Sequence, residues 1–116
     1  MSMFKYDDKH KALIAEINGV QFCCEEEKDS YASQAQELAE VYEDRIPEIV
    51  AFILDEVCSM FGEVSEEELT NALGTPMIDL DREVITYLEQ SLDDIHIIDV
   101  EYGGLLDEFY EVAIDG

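Results

Sequence analysis

The chain has 116 residues, 47% of them hydrophobic, with six tyrosines, five phenylalanines and no tryptophan, enough for one domain with its own core and too few for two. Thirty acids against six bases give a formal charge of −24, and a surface that grips phosphates needs the Lys and Arg that are missing here, so direct nucleic-acid binding is not expected. No apolar run approaches the roughly 20 residues of a membrane span, no apolar leader follows Met1, and three cysteines make no disulfide framework, which predicts a reduced, cytoplasmic protein.

Residues 3–7 read as a short strand with Phe4 and Tyr6 on one face, followed by a polar turn at 8–11. Ala12–Ile17 and Val20–Cys24 then form a hairpin, because Asn18-Gly19 supplies the two positive φ angles of a type I′ turn. Val20, Phe22 and Cys24 share a face, so the adjacent Cys23 and Cys24 point to opposite sides.

The stretch 30–61 is the one the rest is organised around. Tyr31, Ala35, Leu38, Tyr42, Ile46, Ile49, Ile53, Val57 and Met60 recur at steps of three and four, the pitch of an α-helix. Val50, Leu54 and Phe61 widen this stripe, while Glu37, Glu40, Glu43, Asp44, Glu48, Asp55 and Glu56 fill the opposite side. A helix so patterned must bury its stripe against a partner, here a sheet. Ser30 is the expected N-cap. Pro47 removes one hydrogen bond and crowds the Glu43 carbonyl, which predicts a kinked or tightly broken helix with unchanged phase. Gly62 stops it.

Ser65-Glu66-Glu67-Glu68 is a capping box that opens a short helix over 66–73, closed by Gly74. Pro76 forbids more helix, and four strands follow at 77–81, 84–88, 95–102 and 106–114. Their connections are 81–83, 91–94 and Gly103-Gly104. Ile98, Val100 and Tyr102 alternate with Asp99 and Glu101, as Tyr110, Val112 and Ile114 do with Glu111 and Asp115. The fold class is therefore α+β in a single domain, 1–116: a mostly antiparallel sheet, with the long, Pro-kinked helix and the short helix packed on one face. Asp79, Asp81, Asp99, Glu101 and Glu111 are expected on the open face. Like charges on adjacent strands repel, so such a face is not there for stability.

Few residues suggest chemistry. Asp79-Leu80-Asp81-Arg82-Glu83 has the alternating acids of a calcium loop but neither its turn glycine nor its bidentate glutamate. Asp93, Asp94 and His96 place two carboxylates and an imidazole at a strand entrance, from which a small metal-dependent enzyme is conceivable; the same acids suit the cap of a turn. Glu25, Glu26 and Glu27 discourage a thiolate at Cys23 or Cys24. With no Cys-x-x-Cys and no phosphate loop, neither catalysis nor a metal or cofactor is expected.

The segments Leu92-Asp93-Asp94-Ile95-His96-Ile97-Ile98-Asp99-Val100-Glu101-Tyr102 and Val112-Ala113-Ile114-Asp115-Gly116 resemble the close of certain small bacterial domains. In those, a strand after a DDH-like turn runs into a terminal strand ending in Asp-Gly; here Ile95 separates Asp94 from His96. Several such domains are similar to immunity proteins encoded beside polymorphic or contact-dependent toxins. The resemblance implies a cytoplasmic protein that binds and neutralises one toxin domain, often a nuclease, and it transfers no catalytic residue.

Charge points the same way, since a surface of −24 attracts a basic partner and raises the encounter rate. Tyr102, Asp107, Glu108, Phe109 and Glu111, with Asp99 and Glu101, interleave acids and aromatics and form the expected contact surface, extended by the acids Asp79, Asp81 and Glu83. Tyr102 and Phe109 suit the core equally well. The rival within the binding class is a DNA-mimic inhibitor of a nucleic-acid-binding protein, which needs carboxylates in ordered rows along one elongated surface.

Overall fold

A computed structural model describes residues 3–92 and 96–115. Its strands are β1 (Lys5–Asp7), β2 (Ala12–Ile17), β3 (Val20–Cys24), β4 (Pro76–Asp79), β5 (Val84–Tyr87), β6 (Ile97–Gly103) and β7 (Glu108–Asp115). Two helices, α1 (Tyr31–Phe61) and α2 (Glu66–Ala72), intervene between β3 and β4. The seven strands form one sheet in chain order. Neighbours are antiparallel except β3 and β4, which run parallel. Parallel neighbours need a crossover of a dozen residues or more, and the two helices are that crossover. The α+β architecture is thus the expected one.

The β2–β3 hairpin turns at Asn18 and Gly19, whose φ angles of 51° and 82° are the pair a type I′ turn requires. The capping box at α2 is complete: the Glu68 amide donates to Ser65 Oγ at 3.0 Å, and the Ser65 amide to Glu68 Oε1 at 3.3 Å. Ser30, by contrast, has helical φ and ψ of −80° and −12°, and its side chain makes no capping bond. The amide of Tyr31 bonds the Lys28 carbonyl instead, and Gln34 bonds that of Ser30.

α1 runs as one helix through Pro47, so the split into two helices that the proline also allowed does not occur. Pro47 and Glu43 both lie on the exposed side, so water can satisfy the carbonyl that the proline leaves unbonded. The stripe then continues in phase. Tyr31, Ala35, Leu38, Tyr42, Ile49, Ile53 and Val57 are buried, whereas Met60, in the last turn, is 48% exposed.

On the sheet, Phe22, Ile78, Ile85, Tyr87, Ile98 and Val100 point inward and are fully buried against that stripe. Tyr42 and Tyr87 share a buried hydrogen bond of 2.6 Å between their hydroxyls. Phe4 joins this core, but its expected companion Tyr6 is 63% exposed on edge strand β1.

Two late features differ from the alternation read in the sequence. The β6–β7 connection is 104–107, with Leu106 at φ 63° and fully buried, so β7 starts at Glu108 rather than at Leu106. Val100 pairs with Val112 and Tyr102 with Phe109, leaving Tyr110 and Glu111 together opposite Glu101. That extra residue is a β-bulge. Phe109, Val112 and Ile114 therefore face the core, and Tyr110 turns outward beside Glu111.

Candidate functional site

Neither described helix covers the outer face of β5, β6 and β7. Register decides which side chains it presents: Val84 lies opposite Glu101, Thr86 opposite Asp99, Asp99 opposite Ala113, and Ile97 opposite Asp115. Asp99, Glu101, Glu111 and Asp115 consequently surround a shallow depression of about 340 Å³ floored by Val84 and Ala113. Arg82, from the β4–β5 turn, reaches its edge and is the only base lining it among the described residues. Thr86 donates to Asp99 Oδ1 at 2.7 Å, which fixes that carboxylate.

The bulge adds an aromatic ring to this face. Tyr110 is 57% exposed, and its hydroxyl donates to the Glu108 carboxylate, which holds its pKa above the usual value. The ring lies across Gly103, where even a methyl group would collide with its hydroxyl. Gly103 is thus the residue that lets Tyr110 lie flat along the strand beside Glu101 and Glu111.

The predicted contact residues do not form one surface. Asp99, Glu101 and Glu111 stand together as expected. Asp79 is outward and half-buried, with Oδ1 accepting the amides of Asp81 and Arg82 at 3.0 and 3.1 Å. Asp81 is a correction: β4 ends at Asp79, alternation ends with it, and the Asp81 carboxylate turns to the helix side. There it accepts the Tyr31 hydroxyl at 2.5 Å and the Glu25 amide at 2.7 Å.

Tyr102 and Phe109 are also corrected, since both face inward. Phe109 packs on Phe52 of α1, with centroids 5.6 Å apart at 34°. Asp107, in the β6–β7 connection, accepts the Leu105 amide and pairs with Arg45 of α1 at 3.0 Å. Glu108 is exposed at the start of β7. Tyr110, Asp115 and Arg82 were missed as members of the face. The signal was present for Tyr110: apolar residues at 109, 112 and 114 break the period of two, as a bulge requires.

Both thiols of the Cys23-Cys24 pair are held in the protonated form. Burial pushes Cys23 up to about 12 and Cys24 up to about 11, and Asp79 and Asp81 reinforce the shift. Among the described residues no group of three or more His, Cys, Asp or Glu is placed to hold a metal ion. Asp93 and Asp94 lie outside the described residues. His96 stands edge-on to Phe61 at 5.4 Å, and its carbonyl accepts from Gln90 Nε2 at 3.0 Å. The calcium-loop acids Asp79 and Asp81 are taken up by the amide and hydroxyl bonds just described. No described helix is long and apolar enough to cross a membrane.

Compared with protein-family models, with curated proteins and with solved structures, the chain matches none.

Proposed function

We propose that this protein is an immunity-type inhibitor that binds and occludes a basic toxin domain, a nuclease in the first instance, through the outer face of β5–β7. The observation that carries the reading is the cluster of Asp99, Glu101, Glu111 and Asp115 around one depression, with exposed Tyr110 on the same face. Four carboxylates on adjacent strands repel one another, so their retention calls for an opposite charge from outside. Nucleases grip phosphate with Lys and Arg. An acidic face is drawn to those groups, raises the encounter rate and blocks the substrate path. Tyr110 has the form of an interface hot spot, a rigid aromatic ringed by polar groups.

In this reading the protein is not an enzyme and acts in the cytoplasm, where Cys23, Cys24 and Cys58 stay reduced. The resemblance of the C-terminal segments to immunity-type domains supports the same assignment. The test is to look for a toxin reading frame immediately upstream and use its basic domain in a pull-down, followed by association kinetics across salt. Wild type should associate fast at low salt and at least tenfold more slowly after D99N/E101Q/E111Q/D115N. A rate indifferent to ionic strength would sink the proposal.

A second reading, DNA mimicry, is favoured by a different feature. Glu37, Glu40, Asp44, Glu48 and Asp55 follow one side of α1 over about 27 Å, at the 1.5 Å rise of a helix. Neutralising Glu37, Glu40, Asp44 and Glu48 then slows binding to a DNA-binding protein, while the outer-face variant does not.

A further inference from the structure

At the end of the sheet where α1 begins, the α1 N-terminus, the β4–β5 turn and the β6–β7 connection border an open cavity of about 350 Å³. Tyr31, Tyr102, Asp81, Glu83 and Lys28 line it. The volume lies at the bottom of the range of about 300–1,000 Å³ for ligand sites, so it suits one group the size of a side chain.

The Tyr102 hydroxyl is the unusual member. Buried phenols nearly always find a partner. Tyr31 bonds Asp81, and Tyr42 and Tyr87 bond each other. Tyr102 is only 4% exposed as a residue, yet its hydroxyl bonds no described residue and opens to water in the cavity; the side-chain polar atom that is both buried and unpartnered among the described residues is Arg45 Nε. Burial raises its pKa well above the ordinary value, and the charges of Glu83 and Asp79 add to the shift. Both oxygens of Asp81 already accept a bond. Glu83, adjacent to Tyr102 through the bond from the Tyr102 amide to the Glu83 carbonyl, has an uncommitted carboxylate. A phosphate or other anion meets two acids here against one lysine and is repelled.

The chain itself shows that a cation is accommodated at the mouth, because Lys28 Nζ lies 5.7 Å from the centroid of the Tyr31 ring. We infer that this cavity receives one arginine side chain of the basic partner, with its guanidinium between the Glu83 carboxylate and the Tyr102 hydroxyl oxygen. Arginine rather than lysine fits, because a planar guanidinium forks to two acceptors, stacks on aromatic rings and is more weakly hydrated. Lys28 competes for the same place and must swing aside. The inference rests on the basic-partner reading, but its test does not need the partner.

The probes are the capped peptides acetyl-Gly-Arg-Gly-amide and acetyl-Gly-Lys-Gly-amide, and free L-arginine, titrated into the whole protein and followed by NMR. The arginine peptide should bind with Kd on the order of millimolar, at least fivefold tighter than the lysine peptide and no weaker than free arginine. Tyr102→Phe and Glu83→Gln should each weaken it about tenfold, whereas Lys28→Met should tighten it. Tyr102→Phe should also melt at or above the wild-type temperature, since it removes an unbonded hydroxyl; a merely structural hydroxyl would lower it. Equal binding of the two peptides, indifference to Tyr102→Phe, or a lower melting temperature for that variant overturns the assignment. Tighter binding of free arginine overturns the protein source. Specific binding of the arginine peptide with no capture of a basic domain would leave the cavity assignment standing and remove only the proposed function.

Discussion

Neutralising the outer face should stabilise the fold while it slows partner capture. The variant D99N/E101Q/E111Q/D115N keeps side-chain shape and lets residue 99 still accept from Thr86. Asp99 and Glu101, two apart on β6, stand about 7 Å apart, which in water is a repulsion of about 0.6 kcal/mol. Glu101 faces the bulge that carries Glu111, at about 5 Å and about 0.8 kcal/mol. The diagonal pairs of Asp99 with Glu111 and Asp115 lie at about 7–8 Å and add about 0.5 kcal/mol each. The unscreened total is about 2.5 kcal/mol. Salt reduces it to about 2 kcal/mol at 0.01 M, about 1 kcal/mol at 0.15 M and a few tenths of a kcal/mol (~0.3) at 1 M, following the Debye length. At the usual unfolding entropy per residue, 1 kcal/mol moves Tm by about 4 °C in a chain of this size. Thermal melts followed by circular dichroism should therefore show the variant about 8, 4 and 1 °C above wild type at those three salts. A variant no more stable than wild type at 0.01 M, or a gain that ignores salt, refutes the view that this face is held against its own repulsion.

Two further predictions follow from the tyrosines. Tyr42→Phe or Tyr87→Phe alone strands the other hydroxyl in the core and should cost about 1–3 kcal/mol, while the double variant should recover most of it; additive losses in urea melts would refute the shared bond. The hydrogen bond to Asp81 raises Tyr31, and burial raises Tyr42, from 10 to about 12, and burial raises Tyr87 and Tyr102 further. Between pH 10 and 12 the unfolded chain therefore releases protons that the folded chain keeps, so stability is full below pH 10 and falls as pH rises through that window. Absorbance at 295 nm should show these phenols ionising together with loss of the circular dichroism signal; their ionisation in a chain that stays folded would contradict the burial.

By itself the sequence determined whatever depends on near neighbours: the Asn18-Gly19 turn, the capping box at Ser65, the stripe of α1 and the outward acids of β6. A turn type, a cap and a helical face are each decided within a few residues, by φ preferences, one hydroxyl and a 3.6-residue period. It also read the charge, which no folding alters. The tertiary structure decided the rest. Ser30 lost its cap role, and Pro47 left α1 whole because water reaches the carbonyl it frees. Asp81 left the acidic face because Tyr31, fifty residues earlier, offers its hydroxyl from the helix side. Tyr110 joined that face because Gly103 on the neighbouring strand makes room for its ring, and a one-residue bulge flips everything before it on β7. The cavity beside Tyr102 is assembled from segments at 28–38, 80–83 and 102–105. Such contacts depend on which distant segments meet, and local periodicity carries no term for that.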